Sequence, residues 1–300
     1  MEKKNKGGVL PYIAFRGLAA IVNMLPEKAA LMVGKTLGGL VYSLSRGLRR
    51  RAETNLKRAF AGEKSPEEID AILKRLYRNL GLSFVEFLRY RKVDQSYIES
   101  HIEFQGLEHI EQGLEKGRGV VLLTAHFGNW ELMGMALAIK GFTLSVVARP
   151  IDNPYVDGFV NRARTCHGNS IIEKKNALRR LIQVLKDNGI AAVLLDQRAS
   201  LSEGVRVDFF NIPAPTHKGI AGVVRRTGSV VVPAFIHRID TSKHRIVCKP
   251  PVEIKVTDDR ESDILENTRR FTLVIEQAIR EHPEEWFWFH SRWERRKKNG

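Results

Sequence analysis

Cysteine is scarce in this chain of 300 residues. Its two cysteines, Cys166 and Cys248, lie far apart in the sequence and outside any spacing that binds a metal ion. A disulfide framework is therefore not expected, and the chain fits a reducing compartment. Internal repeats and low-complexity segments are missing too. An apolar fraction of 43% excludes a disordered chain.

Long uninterrupted apolar runs are also missing. Residues 9–25 are mostly apolar but contain Pro11 and Arg16, and a second apolar stretch covers residues 29–44. Neither comfortably reaches the roughly 20 apolar residues with which a helix spans a bilayer. A cleaved signal peptide fits poorly as well, because Arg16 splits the first stretch and no convincing cleavage site follows it.

Basic residues lie at both outer ends of these stretches, in residues 1–6 and in residues 46–51. Such flanks favour the cytoplasmic side of a membrane for both ends. We therefore expect residues 1–51 to form a membrane-associated pair of apolar helices, either re-entrant or interfacial. A pair of ordinary helices that pack on the core is the alternative.

Acidic residues are fewer than basic ones: the chain has 34 acidic and 49 basic residues, which gives a net charge of +15. Such an excess attracts acidic partners. Nucleic acid, an anionic lipid leaflet and a small acidic carrier protein all qualify, and so does a soluble protein that is merely basic. Composition does not choose among them.

The pattern along the chain predicts one α/β domain with a helical appendage. Residues 52–100 are typical of amphipathic helices, one of which begins at Ser65 with a capping serine, a proline and two acids. In residues 101–300, short apolar runs typical of buried parallel strands alternate with helical periodicity, so we expect a mostly parallel sheet flanked by helices. The predicted strands are 120–124, 143–148, 191–195, 229–235 and 246–256. One helix is predicted to begin near residue 129, and two others are predicted over 178–185 and 261–281.

The most informative segment is TAHFGNWE, residues 124–131. His126 stands where a buried strand ends and a helix begins, the place where open α/β sheets bind ligands. Glu131 falls about one turn into that helix, so its carboxylate can accept the Nδ1 proton of His126 and leave Nε2 to take a proton from a bound hydroxyl. Gly128 permits a close approach of backbone to substrate, and N–H groups of the helix start can stabilise an oxyanion. This set suits acyl transfer to an alcohol without an enzyme nucleophile or a cofactor.

A histidine that bonds a carboxylate at a helix start for packing reasons is the alternative, because isolated pairs of this kind are common. A metal site fits less well. His126 and Glu131 lack the i, i+4 register of a metalloprotease helix, and no third ligand stands nearby.

The spacing His126-x4-Glu131 resembles the HX4D/E motif of glycerolipid acyltransferases. Its context, HFGNWE, resembles the lauroyl and myristoyl acyltransferases of lipid A biosynthesis, part of lipopolysaccharide biosynthesis. Four further segments of the chain resemble blocks of that family and occur in the same order: Arg149–Pro154, the stretch from Asp196-Gln197 to Gly228, Val232-Pro233 and the aromatic ending 283–293. The likeness covers nearly the whole chain. Asn211 departs from it, since the family often has glycine there, and this puts the acceptor in more doubt than the reaction.

The resemblance implies transfer of a fatty acyl chain from an acyl carrier protein thioester to a hydroxyl of a lipid A precursor. The reaction would take place at the cytoplasmic face of the inner membrane. His126 would be the general base and Glu131 its partner. The resemblance also implies substrate-binding residues: Asn129, Arg149, Arg164, Asp196 and Gln197. Guanidinium groups suit the phosphates of such an acceptor.

Other interpretations stay open from sequence. The acceptor is another glycolipid or a phospholipid, or water takes the acyl group and the enzyme is a thioester hydrolase. Nucleic-acid binding is disfavoured because no recognisable reader motif is present. The ending with Trp286, Trp288 and Trp293 and the basic residues 292, 295 and 296 is either an interfacial aromatic belt or a set of core aromatics before a basic terminus.

Overall fold

Strands alternate with helices from Ile102 onwards in the computed structural model, which describes residues 8–173, 177–200 and 202–293. The strands of this part of the chain are β1 (Ile102–Gln105), β2 (Val120–Thr124), β3 (Leu144–Ala148), β4 (Ser170–Glu173), β5 (Ile190–Leu194), β6 (Gly204–Phe209), β7 (Ile212–His217), β8 (Val230–Arg238) and β9 (His244–Cys248). The expected α/β class is thereby confirmed.

Helices precede the strands, connect them and follow them. They are α1 (Val9–Met24), α2 (Glu27–Leu44), α3 (Arg46–Ala59), α4 (Pro66–Leu88), α5 (Gln95–His101), α6 (Glu108–Glu115), α7 (Trp130–Ile139), α8 (Pro154–Thr165), α9 (Ala177–Lys186), α10 (Gly219–Thr227) and α11 (Arg260–Glu281). Short 3₁₀ turns cover Tyr90–Lys92 and Pro283–Glu285.

The main sheet has the strand order β1-β9-β8-β2-β5-β3-β4. All neighbouring strands in it are parallel except β8 and β9, so the sheet is mostly parallel, as the sequence predicted. Strand β2 lies at its centre and is buried over its whole length. A strand covered by helices on both faces must be apolar throughout, which explains its sequence VVLLT.

Alternate residues of β2 face two different hydrophobic layers, because successive side chains of a strand point to opposite faces. Val121 and Leu123 pack with α3, α9, α10 and α11, whereas Val120 and Leu122 pack with α5 to α8. Helix α4 passes both layers: its first half packs in one and its second half in the other. The helices before residue 101 are thus joined to the core of the sheet.

Several strands differ from the sequence-based prediction: β1 and β4 were not predicted, and β6 and β7 form a separate two-stranded sheet. Strand β9 ends at Cys248 rather than near residue 256, because Pro250 and Pro251 lack the N–H groups that a ladder needs. The hairpin of β6 and β7 was missed. Its two turn residues, Phe210 and Asn211, both have positive φ, which is typical of a two-residue hairpin turn. Asparagine tolerates this conformation better than most residues, so Asn211 can take a position for which glycine would otherwise be suited.

The start of α4 follows its predicted capping. The Ser65 hydroxyl accepts from the Glu68 N–H, and the Glu68 carboxylate accepts from the Ser65 N–H.

Helix α2 lies against α4 with the two backbones in direct contact. A Cβ atom on Gly38 would lie 2.3 Å from the Tyr77 carbonyl oxygen, and one on Gly81 would lie 2.2 Å from the Gly34 carbonyl oxygen. Glycine at these positions is what allows the two helices to approach so closely.

None of the described helices is both long enough and apolar enough to cross a membrane. Ala19, Val22 and Ala30 anchor α1 and α2 in the core. Elsewhere on these helices and at the start of α3, apolar side chains are exposed, and we call them together the apolar face: Ile13, Ile21, Met24, Met32, Leu40, Val41, Leu44 and Leu48.

A buried polar network lies between α4, β8 and the start of α7. The Glu86 carboxylate accepts from both terminal nitrogens of Arg238 at 2.7 Å and from the Asn129 amide at 2.8 Å. The Arg238 guanidinium and its hydrogen bonds lower the pKa of Glu86 to about 2, although burial alone would raise it. A buried carboxylate needs such compensation, because an unpaired charge in the interior is costly.

Glu285 belongs to the same region and is also buried. One of its carboxyl oxygens accepts from the Asn79 amide at 2.9 Å and from the Arg238 backbone N–H at 3.2 Å. Burial raises the pKa of Glu285 to about 7, against a smaller opposing effect of the Arg238 charge. Its backbone carbonyl accepts from the Gly128 N–H at 2.8 Å. The network therefore holds the turn that follows β2.

The contact between α2 and α4 can be tested with neighbouring glycines. Gly38→Ala places a methyl group against the Tyr77 carbonyl and should lower the free energy of unfolding by about 1–3 kcal/mol. Gly39→Ala is the matched control, since its Cβ meets no atom within 4 Å, and it should be neutral or stabilising by up to about 1 kcal/mol. Chemical denaturation measures both, and equal effects would show that the helices do not touch at Gly38.

Glu285→Gln should change the pH dependence of stability. Between the ordinary pKa of 4.5 and the folded value of about 7, the folded wild type holds a proton that the unfolded chain has lost, so its stability falls as the pH rises through this window. Glutamine keeps the accepting oxygen and does not titrate. The variant should therefore gain on the order of 1–3 kcal/mol relative to wild type between pH 5 and pH 8. Denaturation midpoints of both proteins at the two pH values measure this gain, and a constant difference contradicts the assignment.

Candidate functional site

His126 and Asp196 meet at the carboxyl edge of the sheet. Thr124 ends β2 and pairs with Leu194, the last residue of the neighbouring parallel strand β5. His126 and Asp196 each follow two residues later, so they leave the sheet side by side. The His126 Nδ1 lies 2.9 Å from Asp196 Oδ1, and the His126 backbone N–H donates to Oδ2 at 3.2 Å.

Asp196 is fully buried, and a third donor reaches it: the Trp286 indole N–H at 2.9 Å from Oδ2. Burial alone would raise the pKa of Asp196, but the charge and hydrogen bond of His126 and the Trp286 hydrogen bond outweigh it and lower the pKa. An ionised Asp196 only accepts hydrogen bonds, so Nδ1 of His126 must carry a proton. Nε2 is then the ring nitrogen that remains for contact with a bound group.

Glu131 does not take the position that the sequence predicted for it. Its carboxylate forms a bidentate ion pair with Arg164 of α8, at 3.1 and 3.0 Å from Nε, and Asp196 instead of Glu131 accepts from His126 Nδ1. The predicted hydrogen bond between Glu131 and Nδ1 is therefore corrected. The reason is topological: the strand next to β2 supplies a nearer carboxylate, and the first turn of α7 faces α8.

Asn129 and Gly128 hold the turn itself. The Asn129 oxygen caps α7 by accepting from the Leu132 N–H, and its amide nitrogen donates to Glu86, so the side chain is buried among protein groups. Gly128 has φ +58°, and a Cβ there would lie 1.9 Å from the Ile236 carbonyl oxygen. The close approach expected between this glycine and a substrate is thus one between Gly128 and β8.

Gln197 lies directly beside His126. Its amide nitrogen is 3.3 Å from His126 Nε2 and 3.1 Å from Nε2 of a second histidine, His290. Burial, followed by the nearby His126, lowers the pKa of His290, which favours its neutral form. Sequence reasoning missed His290 because it stands inside the aromatic ending, more than 150 residues beyond His126. Its position in the FHSRW block was the only available signal.

A cavity of about 1020 Å³ opens beside His126. One part of its wall is apolar and lies between α7 and the strands β2, β5 and β3: Leu122, Met133, Leu144, Val146 and Ala192. Polar and basic side chains complete the wall: Glu131, Arg149, Arg164, Arg179, Gln197, Arg198 and Lys218. The cavity therefore combines an apolar compartment with a cationic rim, and His126 contacts it.

The two predicted arginines have different surroundings. Arg164 is mostly buried, and its pair with Glu131 raises its pKa although burial opposes this. Arg149 is exposed at the rim, and its ion pair within the described residues is a long contact of 3.8 Å to Asp152. Arg149 is thus available to an anionic ligand, whereas Arg164 is already neutralised by Glu131.

The aromatic ending packs in the core, so the interpretation as an interfacial belt was wrong. Trp286, Trp288 and Trp293 are buried. Arg292 is buried too and donates to the Pro215 carbonyl and the Thr216 hydroxyl, which fastens β7 to the ending. Residues 295 and 296 lie outside the described part of the chain.

The arrangement provides an imidazole that lines a cavity and whose Nδ1 is held by a buried carboxylate. Such a pair can remove a proton from a hydroxyl, and the carboxylate stabilises the imidazolium that results. In residues 8–173, 177–200 and 202–293, no three His, Cys, Asp or Glu side chains gather as metal ligands would.

Comparisons with known proteins agree with these features. Residues 5–295 match the family described as bacterial lipid A biosynthesis acyltransferase. The chain is 23% identical over 258 residues to the lipid A biosynthesis acyltransferase of Haemophilus influenzae, covering 86% of this chain and 79% of that protein.

Two further relatives are similar to the chain over more than 90% of its length. The chain is 25% identical over 282 residues to the lipid A biosynthesis lauroyltransferase of Escherichia coli, covering 93% of this chain and 90% of that protein. It is 24% identical over 277 residues to the phosphatidylinositol mannoside acyltransferase of Mycobacterium tuberculosis, covering 91% of this chain and 85% of that protein.

The family match covers almost the whole chain and confirms the resemblance that the HFGNWE block and the aromatic ending indicated. His126 lines a partly apolar cavity, and the chain belongs to the bacterial lipid A biosynthesis acyltransferases and is an acyltransferase.

Proposed function

We propose that this enzyme moves a fatty acyl chain from an acyl carrier protein thioester to a hydroxyl of a lipid A precursor. The observation that carries the proposal is His126, whose Nδ1 bonds the buried Asp196 while its side chain, 23% exposed, lines a partly apolar cavity. The apolar wall suits a fatty chain, and the net charge of +15 suits both an acidic carrier protein and a phosphorylated lipid.

His126 acts as the general base in this proposal. Its Nε2 takes the proton of the acceptor hydroxyl as the oxygen attacks the thioester carbonyl carbon. The C–S bond then breaks, and the proton passes to the departing thiolate, so the base is regenerated. Asp196 stabilises the transient imidazolium by accepting from its Nδ1.

Glu131 and the predicted substrate-binding residues have distinct roles in this proposal. Glu131 fixes the Arg164 guanidinium in the cavity wall and so orients its free edge toward the sugar or phosphate groups of the acceptor. Arg149, exposed at the rim, binds phosphate directly. Gln197 lies at the base itself.

A second acceptor class is favoured by one relative. The similarity to a phosphatidylinositol mannoside acyltransferase makes another glycolipid or phospholipid the alternative acceptor. Incubating the enzyme with a carrier-protein thioester and separate lipid fractions distinguishes these acceptors. Release of free fatty acid without any acylated lipid would instead indicate a thioester hydrolase.

We further propose that the apolar face rests on the cytoplasmic side of the inner membrane. Met24 and Leu44 are 86% and 78% exposed, and exposed cations lie next to them on α2 and α3: Lys28, Lys35, Arg46, Arg50 and Arg51. Apolar side chains bordered by basic ones are typical of surfaces that bind anionic lipid. This orientation keeps the enzyme next to its lipid acceptor.

The proposed roles of His126 and Asp196 predict how much acyl-transfer rate each variant loses. His126→Ala should lower the rate of acyl transfer about 10²–10⁴-fold, and Asp196→Asn should have a loss of the same order because Nδ1 loses its charged acceptor. Glu131→Gln should cost less, and Glu53→Gln, at an exposed surface pair, should cost nothing. Initial rates with a carrier-protein thioester measure the series. Near-normal activity of Asp196→Asn beside an inactive Glu131→Gln would restore Glu131 as the partner of the base.

The membrane orientation predicts that vesicle binding depends on the apolar face. Met24→Glu with Leu44→Glu should weaken binding to anionic phospholipid vesicles at least tenfold, because each buried side chain of this size contributes roughly 1.5–3 kcal/mol. Leu265→Glu with Leu273→Glu is the matched control, since both side chains are exposed on α11 and the charge change is the same. Co-sedimentation measures binding, and equal behaviour of the two double variants rejects this face.

A further inference from the structure

The apolar part of the cavity extends below His126 along the face of the sheet that α7 covers. Leu122 of β2, Ala192 of β5 and Val146 of β3 lie side by side in one row of the sheet, and all three line the cavity. Leu122 precedes His126 by four residues, so this row lies up to about 13 Å from the histidine at about 3.3 Å per strand residue. The apolar part is thus an elongated compartment whose deep end lies well away from His126.

Helix α7 forms the opposite wall, and Gly134 lies at its deep end. Trp130 and Glu131 line the cavity at the start of the helix, and Gly134 lies on the same side of α7 because residues three and four apart share a face. Leu137 and Ala138 continue this side, but they are buried and do not line the cavity. Along this side of the helix the compartment therefore ends at Gly134.

Asn169 ties α7 to the sheet at this end. Its side-chain nitrogen donates to the Gly134 carbonyl at 2.9 Å, and its side-chain oxygen accepts from the Leu144 N–H of β3 at 2.8 Å. Asn169 is buried, and both Asn169 and Leu144 line the cavity. Because the bridge uses backbone groups of α7 and β3, it does not depend on the side chain at position 134.

The backbone does not require glycine at position 134. Its φ is not positive, and a Cβ atom there would meet one described atom within 4 Å beyond its chain neighbours and the backbone of its own helix, the Asn169 amide nitrogen at 3.8 Å. Glycine inside a helix is also less stable than alanine. Gly134 is half-buried although Met133 and Met135 beside it are buried, so its open side is the cavity. A side chain at this position would therefore extend into the compartment.

We propose that Gly134 is a specificity-determining residue: its missing side chain keeps the deep end of the compartment open, and this space sets the length of the acyl chain that the enzyme transfers. The inference rests on the acyl transfer under "Proposed function", with the thioester carbonyl at His126 and the chain between α7 and the sheet. Each methylene group buried near Gly134 contributes a factor of about four to kcat/KM. A chain too long for the space leaves methylene groups unburied or moves the carbonyl away from His126.

Gly134→Leu tests the proposal. A leucine side chain has four carbons and, in a closely packed interior, displaces about four carbons of the bound chain. The ratio of kcat/KM for the chain that wild type prefers to that for a chain about four carbons shorter should fall on the order of 10²-fold. Gly134→Ala should lower this ratio about fourfold, and it should fold at least as stably as wild type because alanine is the better helix former. A series of carrier-protein thioesters of graded chain length measures the ratio.

Gly39→Leu is the matched control. Gly39 is also helical, its Cβ would meet no atom within 4 Å, and it does not line the cavity, so its chain preference should equal that of wild type. A wild-type chain preference in both Gly134 variants overturns the proposal, and so does an equal change in Gly39→Leu. Circular dichroism verifies folding, and Gly134→Ala decides the question if the leucine variant is unfolded.

A binding measurement does not need the reaction. Saturated fatty acids, each two carbons longer than the last, are titrated into wild type and each variant by calorimetry. The longest chains should lose affinity by the same factors in the Gly134 variants and keep it in Gly39→Leu. This result beside wild-type protein without transfer activity means that the proposed function fails while the compartment is assigned correctly. Unchanged binding of every chain length in folded Gly134→Leu overturns the proposal.

Discussion

The site depends on one buried carboxylate. Asp196 has no access to water, so its charge is tolerable only while protein donors surround it. Three hydrogen bonds meet this need: two come from the ring and backbone of His126 and one from the Trp286 indole. The same bonds fix the ring orientation and the tautomer of His126. The hydrogen bonds that stabilise the buried charge of Asp196 are therefore the same bonds that position His126.

The donors of Asp196 come from distant parts of the chain, and the fold must bring them together. Parallel pairing of β2 and β5 sets His126 and Asp196 at the same height. The segment after α11 returns to the sheet, where Phe287 N–H donates to the His126 carbonyl and Glu285 accepts from Gly128. Helix α4 supports both sides of this junction through Glu86 and Asn79. The N-terminal helices thus support the site through buried hydrogen bonds as well as apolar packing.

Several sequence-based predictions held because they rest on local patterns. The uninterrupted apolar run of β2 predicted a buried parallel strand, and Ser65 predicted the start of α4 through its own capping bonds. The position of His126 between a strand and a helix was predicted because such a junction is visible in the sequence. The partner of His126 was assigned incorrectly, since spacing along the chain favours Glu131, whereas the nearest carboxylate in space comes from the neighbouring strand. The strand order that makes Asp196 a neighbour is not encoded in any local motif.

The sequence by itself determined the α/β class, the position of His126 after a buried strand and the family, because apolar periodicity, capping and ordered motifs are properties of short segments. Only the tertiary structure decided which groups surround His126. It joined Asp196, Gln197, Trp286 and His290 to His126 across 70 to 164 residues of chain. It also buried the tryptophans that could have formed a surface belt. The reason is physical: desolvation and hydrogen bonding act between groups that are close in space, and long-range strand pairing sets that proximity.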